Sequence, residues 1–131
     1  MISWNDYKTE AKERGSLAME VFVVESKPQA SLETVKQYLA QHLAYQSKME
    51  SLGILMFAGP LSDPSCESLD GSGLIIYRAS SLQEANEIAE KDPMHSNGAR
   101  AFTIKRWLIN EGSLQLDIKL SAQSVALNVD K

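Results

Sequence analysis

The order of apolar runs and helical segments constrains the fold of this chain more than any other feature of its sequence. Runs rich in β-branched and aromatic residues are typical of strands, and four occur here: "AMEVFVVES", "ILMFAGP", "LIIYRA" and "AFTIKRWLI". Two segments of helical periodicity separate them, one from about Ser31 to Leu52 and one at "SSLQEANEIAEKD". This order predicts an α+β fold of the ferredoxin-like βαββαβ type, with a four-stranded antiparallel sheet and both helices on one face.

Two further segments flank this pattern. "SWNDYKTEAKERG" carries Ser3 and Asp6 at capping-box spacing and ends in a glycine, which predicts a short helix. "SLQLDIKLS" alternates apolar and polar residues, which predicts one half-buried strand, whereas the last ten residues give no firm signal. We therefore expect three parts: a helical arm at 1–17, a ferredoxin-like domain at 18–110 and a C-terminal strand extension at 111–131.

Composition narrows the class of protein. The chain has 131 residues and a net charge of −4, and its basic residues are scattered, so we expect neither nucleic acid nor an anionic membrane surface as a partner. No apolar stretch approaches the roughly 20 residues of a membrane span, and the charged N-terminus is unlike a signal peptide. A single cysteine, Cys66, excludes an internal disulfide and fits a reducing compartment, which predicts a cytoplasmic location.

Apolar residues in the strands also predict self-association. Phe22 and Val24 in one strand, and Phe102 and Ile104 in another, are not expected all to face a single helical layer. A second subunit, packed sheet against sheet, is the simplest cover for the other face. We therefore expect a homodimer, which the flanking segments could extend to a higher homo-oligomer.

One histidine falls where the first long helix requires an apolar side chain. With about 100° per residue and Val35 at 0°, His42 lies at about 340° and Gln46 at about 20°, on the stripe of Leu39 and Met49. The opposite side carries residues typical of a solvated surface: Gln37, Gln41, Ala44, Lys48 and Ser51. His42 is therefore expected to face the core.

The second helix carries a matching carboxylate. With Leu82 at 0°, Asp92 falls at about 280°, between Ala85 and Ile88, if the last turn persists. Since both helices pack on the same sheet face, His42 and Asp92 are expected to lie within hydrogen-bond reach of each other. A paired charge is tolerated in such a layer, whereas an isolated one is costly.

Two interpretations of this pair remain open from the residues alone. A carboxylate that fixes the tautomer and orientation of an imidazole makes a general base. Alternatively, His42 only hydrogen-bonds a backbone carbonyl, and Asp92 caps a turn at "DPMHSNG".

A family resemblance favours the first interpretation. The runs "HLAYQSKMESLGILMFAGPL", "GLIIYRASSLQEANEIAEKDPMHSNGA" and "FTIKRWLI" resemble the YciI-like (YCII-related) family over about residues 18–110. Family members have a "HL" histidine in the first helix, an "AGP" turn after the second strand and a "DP" aspartate closing the second helix. The matching positions here are His42, the run 58–60 and Asp92.

The resemblance implies a dimeric α/β-barrel fold and a His–Asp active site formed by His42 and Asp92. It also implies enzymes that eliminate or rearrange groups on small ring-derived metabolites, although most relatives have no assigned reaction. Many relatives carry an arginine shortly before the histidine, where this chain offers only Lys36, so Arg100 or Arg106 is expected to anchor an acidic substrate instead.

Further candidates complete the predicted site. Gly59, Pro60, Arg100 and His95 are expected to bind substrate. His95 lies three residues after Asp92 and, with His42, could complete a zinc or iron ligand set, but "PMHSNG" is typical of an exposed loop. We therefore predict no metal and no cofactor. The expected function is a lyase or isomerase acting on a small, acidic molecule; the alternative is a non-catalytic dimeric module that binds a small ligand or a protein.

Overall fold

The computed structural model describes residues 1–129, so the end of the predicted C-terminal extension, residues 130–131, lies outside the described residues. The described chain divides into two compact units, one of Glu20–Leu108 and one that joins Met1–Met19 to the chain from Ile109 onward. The elements in chain order are α1 (Trp4–Glu13), β1 (Met19–Pro28), α2 (Leu32–Gln37), α3 (Leu39–Ser51), β2 (Leu55–Ser62), β3 (Leu69–Tyr77), α4 (Leu82–Glu90), α5 (Pro93–Ser96), β4 (Arg100–Ile109), β5 (Leu116–Lys119) and β6 (Ser124–Leu127).

The sheet has the order β2-β3-β1-β4. Strand β3 pairs antiparallel with both β1 and β2, and Phe22 lies opposite Tyr77 in the β1–β3 ladder. This strand order, with helices inserted after β1 and after β3, is that of the ferredoxin-like fold, so the predicted fold class is confirmed.

The first long helix is interrupted at one residue. Ser31 caps α2, its hydroxyl accepting the Thr34 N–H, and the helix ends at Gln37. Tyr38 then bonds the Val35 carbonyl three residues back, which closes α2 with a tight turn before α3 begins. The prediction of one continuous helix from about 31 to 52 is therefore wrong at Tyr38, although the phase of His42 within α3 is unaffected.

Strands β2 and β3 are longer than predicted. Gly59 and Pro60 do not end β2; they pair with Leu74 and Gly73, and the strand continues to Ser62. Proline is tolerated there because β2 is an edge strand whose outward N–H groups need no ladder partner. The residues "LDGSG", which precede the predicted strand "LIIYRA", also belong to β3.

The core lies between the helices and one face of the sheet. It is built from Val24, Met49, Ile75, Tyr77 and Ala89, with Phe102 and Ile104 packed against them. The expectation that Phe22, Val24, Phe102 and Ile104 occupy both faces is wrong, because strand residues two apart point to the same side. The opposite face instead carries Val23, Leu74, Ile76, Thr103 and Trp107.

The second unit contains α1 and a small hairpin. Ser3 accepts the Asp6 N–H at the start of α1, and Ala11 is completely buried. The strand predicted within "SLQLDIKLS" is present as β5, but it is neither single nor half-buried: it pairs with β6, for which no element was predicted, and every residue of both strands is exposed. No helix within residues 1–129 is long and apolar enough to cross a membrane.

Candidate active site

His42 and Asp92 meet as predicted. His42 projects from the first turn of α3, and its Nδ1 lies 2.7 Å from Asp92 Oδ2 and 2.9 Å from Asp92 Oδ1. The helical phase predicted Asp92 in the last turn of the second helix, α4. Asp92 instead lies beyond the end of α4 and is the N-cap of the short helix α5. Pro93 places the carboxylate there, since a residue before proline favours extended backbone and proline favours the first helical position.

The Asp92 carboxylate is completely buried yet fully hydrogen-bonded. Besides His42, it accepts the Met94 N–H on Oδ1 at 3.0 Å and the Gln46 side-chain amide on Oδ2 at 3.2 Å. Burial alone would raise the pKa of Asp92, but the hydrogen bond and charge of His42, together with the bond from the Met94 N–H, hold this pKa below its ordinary value. The site therefore keeps an ionised carboxylate behind the imidazole.

This contact fixes the tautomer of the neutral imidazole. A carboxylate can only accept, so His42 Nδ1 carries the hydrogen and Nε2 keeps its lone pair. Nε2 has no hydrogen-bond partner among residues 1–129, and about a fifth of the side chain is exposed. His42 can therefore accept a proton from a bound molecule.

Gln46 is a site residue that the sequence analysis did not single out. Its Nε2 donates both to Asp92 Oδ2 and to the Tyr77 hydroxyl, each at 3.2 Å, and its Oε1 is buried without a partner among the described residues. Burial raises the pKa of the Tyr77 hydroxyl, so this phenol stays neutral. The available signal was the position of a polar glutamine on the apolar stripe of the helix.

A cleft of about 730 Å³ opens in front of His42, lined by side chains of the helices and by β2 and β3. Gly59, Pro60 and Arg100 line this cleft together with His42. Three of the four predicted substrate-binding residues therefore lie at the same cleft as the candidate base. Ser26, which the sequence did not single out, also lines the cleft.

His95 differs from its prediction. It is not part of an exposed loop: it lies in α5, partly buried, with Nδ1 2.7 Å from the Ala89 carbonyl and Nε2 2.8 Å from Ser26 Oγ. It does not line the His42 cleft and reaches it only through Ser26. Within residues 1–129, no three His, Cys, Asp or Glu side chains form a group that could hold a metal ion.

Comparison with known proteins identifies the family. A model of the YCII-related domain matches residues 19–108. The chain belongs to the YCII-related domain family. The match covers α2–α5 and nearly all of the sheet, and so includes both His42 and Asp92 of this YCII-related protein.

Two proteins similar to this YCII-related chain are informative. The uncharacterized protein YjpA of Bacillus subtilis (strain 168) is 29% identical over 76 residues, which make up 58% of this chain and 82% of YjpA. The solved structure of TftG, the 5-chloro-2-hydroxyhydroquinone dehydrochlorinase from Burkholderia phenoliruptrix AC1100 in complex with 2,5-dihydroxybenzoquinone, superposes with a TM-score of 0.53 at 22% identity, covering 68% of this chain and 93% of TftG. At that identity the likeness concerns the fold alone.

Proposed function

We propose that this YCII-related protein is a cofactor-independent lyase or isomerase acting on a small acidic organic molecule. His42 is the general base, and Asp92 orients it and stabilises its charged form. The single observation that carries the proposal is the bidentate contact of the buried Asp92 carboxylate with His42 Nδ1, which leaves Nε2 as a free base at a cleft.

The chemistry follows from that arrangement. His42 Nε2 takes a proton from a carbon next to a carbonyl group, and the C–H electron pair moves into an enolate. In a lyase, this pair forms a C=C bond while a leaving group departs with its own electron pair; in an isomerase, the imidazolium returns the proton to another carbon. Asp92 stabilises the imidazolium without taking its proton.

Support for the substrate class comes from the cleft and from the structural neighbour. Arg100 supplies a positive charge at the cleft, whereas Gly59 and Pro60 shape its wall without adding charge. TftG is named for the removal of chloride from a hydroxylated ring. We therefore propose small oxygenated rings and related acids as the first compounds to test.

The experiment is a turnover screen with such compounds, including 5-chloro-2-hydroxyhydroquinone. Halide release and deuterium uptake from D₂O, followed by NMR, would detect elimination and isomerisation respectively. We expect His42→Ala to abolish any turnover, and Lys48→Ala, at an exposed position on the same helix, to leave it unchanged. Equal activity of wild type and His42→Ala would contradict the role of His42.

A non-catalytic module that binds a small ligand or a protein is the second candidate function. One observation favours it: Asp92 also caps α5 through the Met94 N–H, so the carboxylate has a structural task whether or not His42 moves protons. Saturable binding of a compound from the screen, with no turnover of any, would select this alternative.

We further propose that the protein is a cytoplasmic homodimer. Support comes from two surfaces. On the outer sheet face, Trp107 is 45% exposed beside apolar strand residues and the charged Glu25, Lys105 and Arg106. On the hairpin, four apolar side chains are each more than half exposed: Leu116, Ile118, Val125 and Leu127. An isolated two-stranded hairpin is marginal in water, which favours its packing against a second copy. Light scattering at micromolar concentration should give the mass of a dimer for the wild type, and Trp107→Glu should lower the measured mass toward that of a monomer. A stable, folded wild-type monomer would contradict the proposal.

A further inference from the structure

A second polar chain lies at the cleft, separate from the His42–Asp92 contact. It joins His95 of α5, Ser26 of β1 and Arg100 of β4: His95 Nε2 lies 2.8 Å from Ser26 Oγ, which lies 2.9 Å from Arg100 Nε. The Ala89 carbonyl stands at the far end, 2.7 Å from His95 Nδ1. Of these groups, Ser26 and Arg100 line the cleft that His42 faces.

The direction of every hydrogen bond in this chain is determined. The Ala89 carbonyl can only accept, so His95 Nδ1 carries a hydrogen. In the neutral ring Nε2 must then accept, so the Ser26 hydroxyl donates to it and its oxygen accepts the Arg100 Nε–H. Burial lowers the pKa of His95, although the Ala89 bond and the Asp92 charge oppose this effect, which supports the neutral ring.

Arg100 is held along one edge and free along the other. Its Nη2 donates to the Ser26 carbonyl at 2.8 Å and to the Gly71 carbonyl at 2.6 Å, so together with Nε one edge of the guanidinium is engaged. Nη1 has no hydrogen-bond partner among residues 1–129, and no carboxylate of these residues forms an ion pair with Arg100. The cleft thus holds a partly buried, fixed cation that no carboxylate of residues 1–129 contacts, although the charge of Asp92 acts on it from beyond ion-pair distance.

We propose that Ser26 and His95 are positioning residues that fix Arg100 as an anion anchor, so that the cleft selects ligands with one ionised oxygen, a carboxylate or an acidic ring hydroxyl, bound at Arg100 Nη1. The inference rests on the proposed function only in treating this cleft as the ligand site. A guanidinium that is already immobilised loses little freedom on binding, and its bond to an anionic oxygen is charge-assisted. An anion held at Arg100 would fix the orientation of the ligand relative to His42, which lines the same cleft.

The test uses benzoate as the probe and benzamide as its uncharged counterpart of the same shape. In the wild type, benzoate should cause a saturable shift of the Arg100 Nε–H signal in ¹⁵N NMR, and benzamide should bind at least about tenfold more weakly. Ser26→Ala and His95→Leu should each weaken benzoate binding several-fold and broaden the Arg100 signal. In His95→Gln the side-chain oxygen can still accept a hydrogen bond from the Ser26 hydroxyl. This variant should therefore recover most of the benzoate affinity and most of the sharpness of the Arg100 signal.

Controls separate this proposal from the proposed function. His42→Ala should still show a saturable benzoate shift of the Arg100 signal, because His42 has no part in holding Arg100, and Lys48→Ala, outside the cleft, should leave benzoate affinity within about twofold. Loss of turnover in His42→Ala with a retained benzoate shift separates the base from the anchor, and benzoate binding in a protein without any turnover would support the anchor alone. Two results would overturn the proposal: an Arg100 signal that benzoate does not shift, or wild-type benzoate affinity in both Ser26→Ala and a folded His95→Leu.

Discussion

Replacing Asp92 with asparagine tests the structural basis of the candidate base most directly. An asparagine oxygen at the Oδ1 position keeps the Met94 N–H bond, but its NH₂ group then occupies the Oδ2 position. There it faces two other nitrogens, His42 Nδ1 at 2.7 Å and the Gln46 amide at 3.2 Å, so the imidazole keeps only its contact with an uncharged oxygen at the Oδ1 position, at 2.9 Å, and the Gln46 amide loses this acceptor. The variant therefore loses one charge-assisted bond and leaves a buried donor unpaired.

The magnitude follows from these two losses. A hydrogen bond to a charged group contributes about 1.5–3 kcal/mol, and a buried unpaired donor costs about 1–3 kcal/mol. Partial relaxation around the 13-residue helix α3 reduces the sum, so we expect Asp92→Asn to lower the free energy of unfolding by about 3 kcal/mol at pH 7. The imidazole can also switch to the tautomer with hydrogen on Nε2, so any turnover should fall at least about a hundredfold.

The pH dependence of this loss has a definite sign. The folded state holds the pKa of Asp92 below its ordinary value, so the carboxylate stabilises the protein above the unfolded-state pKa of about 3.9. That contribution disappears as the pH falls through the lower folded-state pKa. The difference in unfolding free energy between wild type and Asp92→Asn should therefore be constant near neutral pH and shrink in acid.

Urea denaturation of wild type and Asp92→Asn between pH 7 and pH 3 measures the loss of unfolding free energy at pH 7 and its change with pH. Asp117→Asn, which removes an exposed carboxylate paired with Lys119, is the matched control and should change stability by less than about 1 kcal/mol. A change below about 0.5 kcal/mol for Asp92→Asn at pH 7, or a difference that grows toward acid, would refute the reasoning from the buried carboxylate.

Three further substitutions test other contacts by chemical denaturation. Tyr77→Phe removes the buried hydroxyl that accepts the Gln46 amide and should cost about 1 kcal/mol; an unchanged midpoint would mean that this bond is not formed. Ser81→Ala removes the hydroxyl that caps α4 and should also cost about 1 kcal/mol, with Ser81→Gly losing less. Gly71→Ala, at a φ of +88° and with the new Cβ 3.4 Å from Pro28 Cγ, should cost about 1 kcal/mol or more, and a gain in stability would contradict the strained backbone.

The sequence predicted the contact between His42 and Asp92 because helical phase carried most of the information. A histidine on the apolar stripe of α3 had to face the sheet, and the proline after Asp92 marked where the second helix stops. The predicted reason for the position of Asp92, a place in the last turn of α4, was wrong, because the residue caps α5 and does not continue α4. Phase placed it in the correct layer because only one residue, Lys91, separates Asp92 from the end of α4.

Other features were not accessible to periodicity. One partner of His95, Ser26, lies in β1, 69 positions away, and the other, the Ala89 carbonyl, lies six positions before it in α4, so interpreting "PMHSNG" alone as a loop missed both. The length of β2 depends on its pairing with β3, which a sequence pattern does not show. Pro60 fits within the strand because β2 lies at the edge of the sheet. The hairpin strand β6 has only four residues, too few for alternation to stand out.

The Asp92 side chain both caps α5 and contacts His42. The same carboxylate starts α5, through the Met94 N–H, and orients His42 through Nδ1. Pro93 has no N–H, so the Met94 N–H is the first backbone donor of α5 that the Asp92 side chain can bind. The fixed φ of Pro93 favours the first turn of α5, in which the Met94 N–H faces this carboxylate. The position of the base therefore depends on the backbone of α5 as well as on α3, although α5 contributes no side chain to the His42 contact. The same short helix carries His95, so the turn that starts at Asp92 positions both imidazoles, one beside the carboxylate and the other beside Ser26 and Arg100.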